Sequence, residues 1–355
     1  MQGGMTPNTN PAAMASTGIP IWKRVWRSPS PVMGVEISSA GISVARWGTN
    51  SPRFETITFR PFSAGALEVS PLAENIREPE EVRRAMEAAL VPFGRGSRDA
   101  SQRQPEDIIL VIPDQAAKLF VLSFEVLPQK PLDALGMVKW RLKKSVPFDI
   151  ESAAVSFFAQ PSGGQWQVAA VATSRAVIRQ YEELAAAFGL QARNITLSTL
   201  AALELLPEGR LGSAASSSTA LNQLIAKYSP PWLTIVIMQG EFLRLFRTLS
   251  LTSGNSGGES GSISAEEVLE ALVPSLAYFQ DTFSANLDRV YLCGMGGMTH
   301  AGETGAHVAE ALAKELQITA QPLVDSVPGS VEMDSHLTER NFSGLMGIAQ
   351  GQARR

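Results

Sequence analysis

Two turns built of small residues are the parts of this sequence best suited to chemistry. The first, Ser38-Ser39-Ala40-Gly41, follows the acidic Glu36 and lies between two short apolar runs. The second, Gly294-Met295-Gly296-Gly297, follows an apolar run and precedes a helical pattern. In such turns the backbone N–H groups converge and can hold a phosphate or the edge of a base. We therefore consider a nucleotide site whose candidate residues are Glu36, Ser38, Ser39, Gly294, Gly296 and Gly297.

Other catalytic signatures are missing from the sequence. It contains no GxxxxGK[ST] phosphate loop, no HExxH zinc motif and no CxxC pair. The three histidines include His300 and His307, which are seven residues apart, but no cysteines or clustered carboxylates accompany them. Cys293 is the only cysteine, so an internal disulfide and a multi-cysteine metal site are excluded. We predict no metal site.

Composition narrows the class of protein. Hydrophobic residues make up 45% of the 355 residues and charged residues 18%, which permits two or three domains with buried cores. A formal net charge of −4 argues against a dedicated nucleic-acid binder. No apolar run reaches the roughly 20 residues of a membrane-spanning helix, and the start of the chain lacks the apolar core of a signal peptide. We expect a cytoplasmic protein.

The sequence pattern divides the chain into segments. Residues 1–31 read as a disordered tail with a basic and aromatic lead-in, and residues 331–355 as a C-terminal helix that packs back on the first half. Between them we expect two related α/β halves, the first of which is interrupted by a small subdomain. The predicted bounds are 32–105 and 187–228 for the first half, 106–186 for the inserted subdomain and 229–330 for the second half.

Two basic and aromatic segments are candidate contact surfaces. The lead-in carries Trp22 and Trp26, and the predicted helix 131–145 carries Lys139, Trp140, Arg141, Lys143 and Lys144. Tryptophans flanked by cations suit a partner protein or an anionic membrane surface. The alternative for the lead-in is a segment that caps the first domain, and the alternative for the helix is a solvated face.

These features together resemble the PilM family of actin-like type IV pilus assembly proteins, which is related to the cell-division protein FtsA. The resemblance extends from Val32 to the C-terminus. It rests on the first phosphate turn at 35–39, the strand at 109–114, the strand and helix at 119–148 that end in Val146-Pro147-Phe148, the unit at 168–202 and the turn at 289–297. The implied fold is α/β, a duplicated ribonuclease H-like, actin-like ATPase fold with a small α/β subdomain inserted in the first half.

The sequence departs from the family at the residues that perform ATP chemistry. Glu36 and Ser38 stand where the family has an aspartate and a glycine, and we place the second phosphate turn at residues 236–241, which have no aspartate and no early glycine. Phosphoryl transfer requires Mg²⁺ and N–H donors around the phosphates. We therefore predict no ATP hydrolysis. Residual binding of ATP and Mg²⁺ through the glycine turn remains an alternative, and Asp114 suits either a catalytic or a turn-forming role.

The resemblance implies a non-enzymatic cytoplasmic adaptor at the inner face of the inner membrane. It would bind the short N-terminal peptide of an inner-membrane pilus protein of the PilN type, with the pilus motor ATPases as further partners and with no nucleic acid. The alternatives are an actin-fold ATP-binding protein or weak ATPase, and a cytoplasmic component of a type II secretion platform.

Overall fold

Two five-stranded sheets of the same topology form the body of the protein. The computed structural model describes residues 31–49, 51–95, 104–206, 221–251, 263–295, 304–324 and 335–354. The strands are β1 (Met33–Ser38), β2 (Gly41–Trp47), β3 (Phe54–Pro61), β4 (Glu106–Ile112), β5 (Lys118–Phe124), β6 (Ala154–Ser162), β7 (Gln165–Thr173), β8 (Leu190–Leu197), β9 (Asn222–Ser229), β10 (Trp232–Gln239), β11 (Phe242–Ser250), β12 (Arg289–Cys293) and β13 (Thr319–Pro322). The helices are α1 (Pro79–Leu90), α2 (Pro131–Leu142), α3 (Arg175–Ala186), α4 (Ser198–Ala202), α5 (Ala265–Phe283), α6 (Thr304–Leu316) and α7 (Ser335–Ala353).

The strand order shows that the two halves are copies of one arrangement. The first sheet has the order β3-β2-β1-β4-β8 and the second has the order β11-β10-β9-β12-β13. In each sheet the first three strands form an antiparallel meander, and the last two strands are parallel to the first strand of the half. This is the duplicated ribonuclease H-like arrangement that the sequence predicts.

The first sheet is covered on both faces. Side chains alternate along a strand, so Val35 and Ile37 of β1 enter one core, with α1 and α3, while Gly34 and Glu36 point to the opposite face. On that opposite face a second core forms between the sheet and α7, centred on Phe342 and Leu345. Strand β4 is buried on both faces, which explains its continuous apolar run.

An apolar interface joins the two halves. One face of the second sheet packs against α5 and α6. The other face forms a core with the end of the first half, where Ile225, Val236 and Tyr291 meet Leu203 and Leu206. The two halves therefore share a buried core rather than meeting only through polar surfaces.

The inserted subdomain is a three-stranded antiparallel sheet, of order β5-β7-β6, with α2 on one face. Its strands and helix span 118–173, which is narrower than the predicted range 106–186. Strand β4 and helix α3 lie instead in the first half, because β4 is hydrogen-bonded between β1 and β8 and α3 packs on that sheet. The opposite face of the inserted sheet contributes Leu119, Val121 and Ala169 to the interface core.

Strand β9, which the sequence analysis assigned to the end of the first half, is the central strand of the second sheet. It pairs with β10 on one side and with β12 on the other, so the second half begins at Asn222 rather than at residue 229. Buried Gln223 and Lys227 interrupt its apolar pattern, which explains why the sequence did not reveal it.

The C-terminal helix α7 lies against the first sheet and α4 through small residues. It spans Ser335–Ala353, within the predicted range 331–355. A Cβ atom added to Gly347 would stand 2.0 Å from the carbonyl oxygen of Ala201, and one added to Gly344 would stand 2.8 Å from Oε1 of Glu36. Both glycines allow the helix backbone to approach its neighbours closely. Among the helices of the described ranges, none has the length and apolar character needed to span a membrane.

We expect Gly347→Ala to destabilise the protein, because the added methyl group forces α7 away from α4. The loss of unfolding free energy should be about 1–3 kcal/mol or more, measured by urea denaturation. The control is Gly136→Ala in α2, where a Cβ meets no atom within 4 Å. That change should stabilise the protein by up to about 1 kcal/mol. Equal effects of the two substitutions would contradict the close approach of α7.

Candidate functional site

The predicted first phosphate turn connects β1 to β2, and its hydroxyl groups bond within the protein. The Ser38 hydroxyl accepts from the Ala40 N–H at 3.2 Å and donates to the Gly41 carbonyl at 3.3 Å. The Ser39 hydroxyl donates to the carbonyl oxygen of Pro230, in the second half, at 2.6 Å. This turn therefore contacts a turn of the other half directly.

The partner turn is the symmetry equivalent of the first one. Strand β1 ends in the pair Ser38–Gly41, and β9 ends in the pair Ser229–Trp232, with two residues in each turn. The second phosphate turn expected from the duplication is therefore Pro230-Pro231. The sequence-based placement at 236–241 was wrong, because that segment forms the turn between the second and third strands of the half, and Met238 is buried in the interface core.

The same register makes Glu36 and Lys227 equivalent positions. Each lies two residues before the end of the first strand of its half. Both side chains are 2% exposed, and the Lys227 Nζ lies 3.8 Å from the Glu36 Oε1. Positions that are equivalent in a duplicated fold thus meet as an ion pair across the interface of the two halves.

Three further groups surround this pair. The Ser198 hydroxyl, at the start of α4, donates to Glu36 Oε1 and accepts from the Lys227 ammonium. The Leu345 N–H of α7 donates to Glu36 Oε2 at 3.2 Å, and Gly344 leaves room for the carboxylate. Both carboxylate oxygens are therefore bound by protein donors.

Burial shifts the pKa of Glu36. Loss of water raises the pKa of the Glu36 carboxyl above its ordinary value of 4.5. The nearby Lys227 ammonium, the Ser198 hydroxyl and the Leu345 N–H act in the opposite direction on that pKa. The desolvation of the carboxylate is the largest of these effects.

A second buried carboxylate lies beside the first. Asp114, two residues after β4, accepts the Thr199 N–H at 2.9 Å and the Thr199 hydroxyl at 2.5 Å. It also accepts the hydroxyl of Thr234 of β10 at 2.9 Å. Asp114 therefore holds the start of α4 and joins the first half to the second, which is the role of a structural carboxylate.

The predicted base-side turn is described only at its start. Gly294 follows β12 with φ of 73°, a conformation that favours glycine, and the next residue, Met295, is buried. Gly296 and Gly297 lie outside the described residues, so their assignment to a nucleotide remains a prediction. Among the described residues there is no cluster of three or more potential metal ligands.

The basic and aromatic residues of α2 lie on the surface of the inserted subdomain. Trp140 is exposed, as are Arg141, Lys143 and Lys144, while Leu142 faces the core. The Lys139 ammonium donates to the Glu151 carbonyl at 3.0 Å. Trp22 and Trp26 lie outside the described residues. The five described residues, Lys139, Trp140, Arg141, Lys143 and Lys144, do not contribute to the buried network.

Sequence reasoning identified Glu36 but missed the side chains that bind it, Lys227 and Ser198, and those that bind the neighbouring Asp114, Thr199 and Thr234. Lys227, Ser198, Thr199 and Thr234 carry no motif, and each lies far from Glu36 in the sequence. The signal that could have located Lys227 is the turn Ser229-Pro230-Pro231, which marks the end of a strand before β10.

The buried pair generates a stability prediction. Lys227→Met leaves the Glu36 carboxylate buried without a cation and should cost about 3–5 kcal/mol of unfolding free energy. The double variant Glu36→Gln/Lys227→Met removes both charges and should restore most of that loss. Urea denaturation of the three proteins tests this. A double variant that is less stable than Lys227→Met would contradict the coupling.

The raised pKa of Glu36 generates a pH prediction. The folded protein binds this proton more tightly than the unfolded chain, so the contribution of Glu36 to stability is complete below pH 4.5 and is lost as the pH rises through the raised pKa. The unfolding free energy of the wild type minus that of Glu36→Gln should therefore fall as the pH rises from 4.5 through the raised pKa, and should be constant above it. A difference that stays constant between about pH 4 and about pH 8 would contradict the raised pKa.

The fold of this chain is similar to that of solved structures. No protein-family model matches the chain, and no curated protein matches its sequence. A chain of the PilM-PilN type IV pilus biogenesis complex is similar in structure, with a TM-score of 0.65 and 18% identity over 92% of this chain and 99% of that one. The cytoplasmic domain of EpsL, an inner membrane component of the type II secretion system of Vibrio cholerae, gives a TM-score of 0.42 and 12% identity over 74% of this chain and 81% of that one.

A protein from Bacteroides thetaiotaomicron with an actin-like ATPase fold and unknown function gives a TM-score of 0.45 and 10% identity over 88% of this chain and 94% of that one. The PilM-PilN likeness covers both halves and the inserted subdomain. The predicted actin-like fold is confirmed, and the chain is PilM-like in structure.

Proposed function

We propose that this protein is a non-enzymatic adaptor of a type IV pilus assembly machine. It binds the short cytoplasmic N-terminus of an inner-membrane protein of the PilN type and is held by that partner at the inner face of the membrane. The pilus motor ATPases are further partners in this proposal. Two features support it. The residues at the expected nucleotide site bind one another, and the inserted subdomain presents an edge strand.

The buried pair of Glu36 and Lys227 is the observation that carries the proposal. In a working actin-like site, the carboxylate of the first turn faces Mg²⁺ and the two turns hold the phosphates. Here the Lys227 ammonium forms an ion pair with the Glu36 carboxylate, which also accepts hydrogen bonds from the Ser198 hydroxyl and the Leu345 N–H. A second cation beside Lys227 would be repelled, so these residues do not fit a Mg-nucleotide.

The two turns are also joined to each other directly. The Ser39 hydroxyl bonds to the Pro230 carbonyl at 2.6 Å, which brings the two turns into contact. Asp114 and Thr234 form a further bond between the halves. Admission of a triphosphate would require all of these bonds to break, together with the ion pair. We infer that the closed arrangement of the halves is independent of nucleotide.

The inserted subdomain is anchored to the second half by side-chain hydrogen bonds of Gln167. Arg244 of β11 donates to the Gln167 side chain at 2.7 Å, and the Gln167 amide donates to the Leu243 carbonyl at 2.7 Å. The Arg244 guanidinium lies over the rings of Phe242 and Phe283, at 5.0 and 4.9 Å. The subdomain is therefore a rigid extension of the body, which suits a binding platform.

Strand β6 offers a place for an extended peptide. It is an edge strand of the three-stranded sheet, is nine residues long and pairs with β7 on one side. Edge strands bind extended peptides by adding a strand to the sheet, with main-chain hydrogen bonds supplying affinity. The likeness to a chain of the PilM-PilN complex supports a peptide of the PilN type as the ligand.

Neighbouring proline substitutions in β6 test the peptide site. Successive N–H groups of a strand point to opposite sides of it. One of the two variants Val155→Pro and Ser156→Pro therefore removes an N–H that pairs with β7, and the other removes an N–H on the outer edge only. We expect the variant that keeps the wild-type circular dichroism spectrum and melting temperature to lose binding of the PilN-type N-terminal peptide by about tenfold or more. Fluorescence anisotropy with the labelled peptide, and with a scrambled peptide as control, measures this.

Three results would count against the proposal. Wild-type protein that ignores the peptide would refute the adaptor role, and a folded edge variant that binds normally would refute the β6 site. Saturable stabilisation by Mg-ATP, with turnover that Glu36→Gln abolishes, would establish the ATPase alternative.

A further inference from the structure

The outer face of α2 carries large apolar side chains that the described part of the protein leaves uncovered. Leu132 is 81% exposed and Trp140 is 73% exposed, and they are separated by eight residues with Gly136 midway. The buried side of the helix, formed by Ala134, Val138 and Leu142, is opposite. No atom lies within 4 Å of a Cβ built on Gly136, so a notch separates the two apolar side chains.

Cations lie at one end of this apolar row. Arg141, Lys143 and Lys144 are exposed at the end of the helix. In the described part of the chain, none of the three forms a salt bridge. The charge of Lys143 contributes to lowering the pKa of the nearby Asp149 carboxyl. We call the surface formed by Leu132, Gly136, Trp140, Arg141, Lys143 and Lys144 the basic face.

Helix α5 of the second half has an outer face of the opposite charge. Val273 is 54% exposed and Tyr278 is 47% exposed, with Pro274 and Ala277 exposed between them. Exposed Glu266, Glu270 and Asp281 flank this apolar patch. The buried side of the helix, which includes Val268, Leu272 and Phe279, packs on the second sheet. We call the surface formed by Glu266, Glu270, Val273, Pro274, Ala277, Tyr278 and Asp281 the acidic face.

We propose that the basic face of one copy of this protein docks on the acidic face of a second copy. The two faces match in chemistry, since each has an apolar centre and a border of charge opposite to the other. Apolar side chains in rows four residues apart allow two helices to pack as ridges into grooves. The notch at Gly136 receives an apolar side chain of the acidic face, such as Val273, between Leu132 and Trp140.

The two faces lie on different parts of the chain, so the contact is heterologous. Each copy then presents one free basic face and one free acidic face, and association continues from copy to copy into a ring or a filament. Exposed Trp and Arg side chains are the types that contribute most to protein interfaces. Salt screens the charged border, so association is strongest at low ionic strength. This proposal does not depend on the identity of the peptide partner.

A charge-exchange experiment tests the pairing of the faces. One variant, Lys143→Glu/Lys144→Glu, makes the basic face acidic, and the other, Glu270→Lys/Asp281→Lys, makes the acidic face basic. Sedimentation velocity at low salt over a range of concentrations should show self-association of the wild type and a loss of about tenfold or more in each variant alone. An equimolar mixture of the two variants should associate again, because each face then finds its complement.

Two controls separate a specific interface from a general charge effect. Arg83→Glu/Arg84→Glu changes the charge of the exposed side of α1 by the same amount and should leave self-association unchanged. Trp140→Ala should weaken it at low and at high salt, since its contribution is apolar. Both should leave peptide binding at β6 intact, so a failure here does not touch the adaptor role.

Several outcomes would overturn the proposal. A wild type that stays monomeric at all concentrations would do so, and so would a mixture of the two variants that fails to associate. Binding of the wild type to vesicles of anionic phospholipid, lost in Lys143→Glu/Lys144→Glu and accompanied by no self-association, would assign the basic face to a membrane instead.

Discussion

The structure depends on a buried carboxylate that must be matched by a buried cation. Glu36 lies on the first strand of the first sheet, on a face that α7 covers, so water does not reach it. An ionised carboxylate in such a place is strongly destabilising unless a cation and hydrogen-bond donors surround it. Lys227 of the other half supplies the charge and Ser198 links the two groups. The halves must therefore stay together for Glu36 to be matched.

Duplication of the fold explains why these groups meet. The two halves have the same topology, and their first strands and first turns meet at the interface. In a nucleotide-binding member this geometry places two turns around the phosphates. In this chain the same geometry places a glutamate opposite a lysine and a serine opposite a proline carbonyl. One fold thus accommodates either a ligand or an internal connection, and the side chains at a few positions determine which.

Because the interface between the two halves is closed, the surfaces available to partners lie on the outside of the protein. The inserted subdomain is fixed to the second half by an apolar core and by Arg244, and it presents an edge strand and the basic face. The second half presents the acidic face on α5. A protein with a fixed body and several distinct surfaces is suited to connecting partners, and this is the physical basis of the adaptor role proposed above.

The sequence determined the fold class and one member of the network. Alternating and continuous apolar runs predicted β1, β2 and β4, and the resemblance to PilM predicted the actin-like duplication and the inserted subdomain. Glu36 stood out because it precedes a turn of small residues and stands where the resembling family has an aspartate. Trp140 and its neighbouring cations also stood out, and the structure places them at the surface.

Only the tertiary structure decided what Glu36 does. Its partners Ser198, Lys227 and Leu345 are distant in sequence, and no local pattern connects a lysine in one strand with a glutamate in another. Strand β9 escaped detection because Lys227 interrupts its apolar pattern, and that lysine is acceptable there only because Glu36 neutralises it. The sequence therefore contained both charges, but only the packing of one half against the other brings them together as an ion pair.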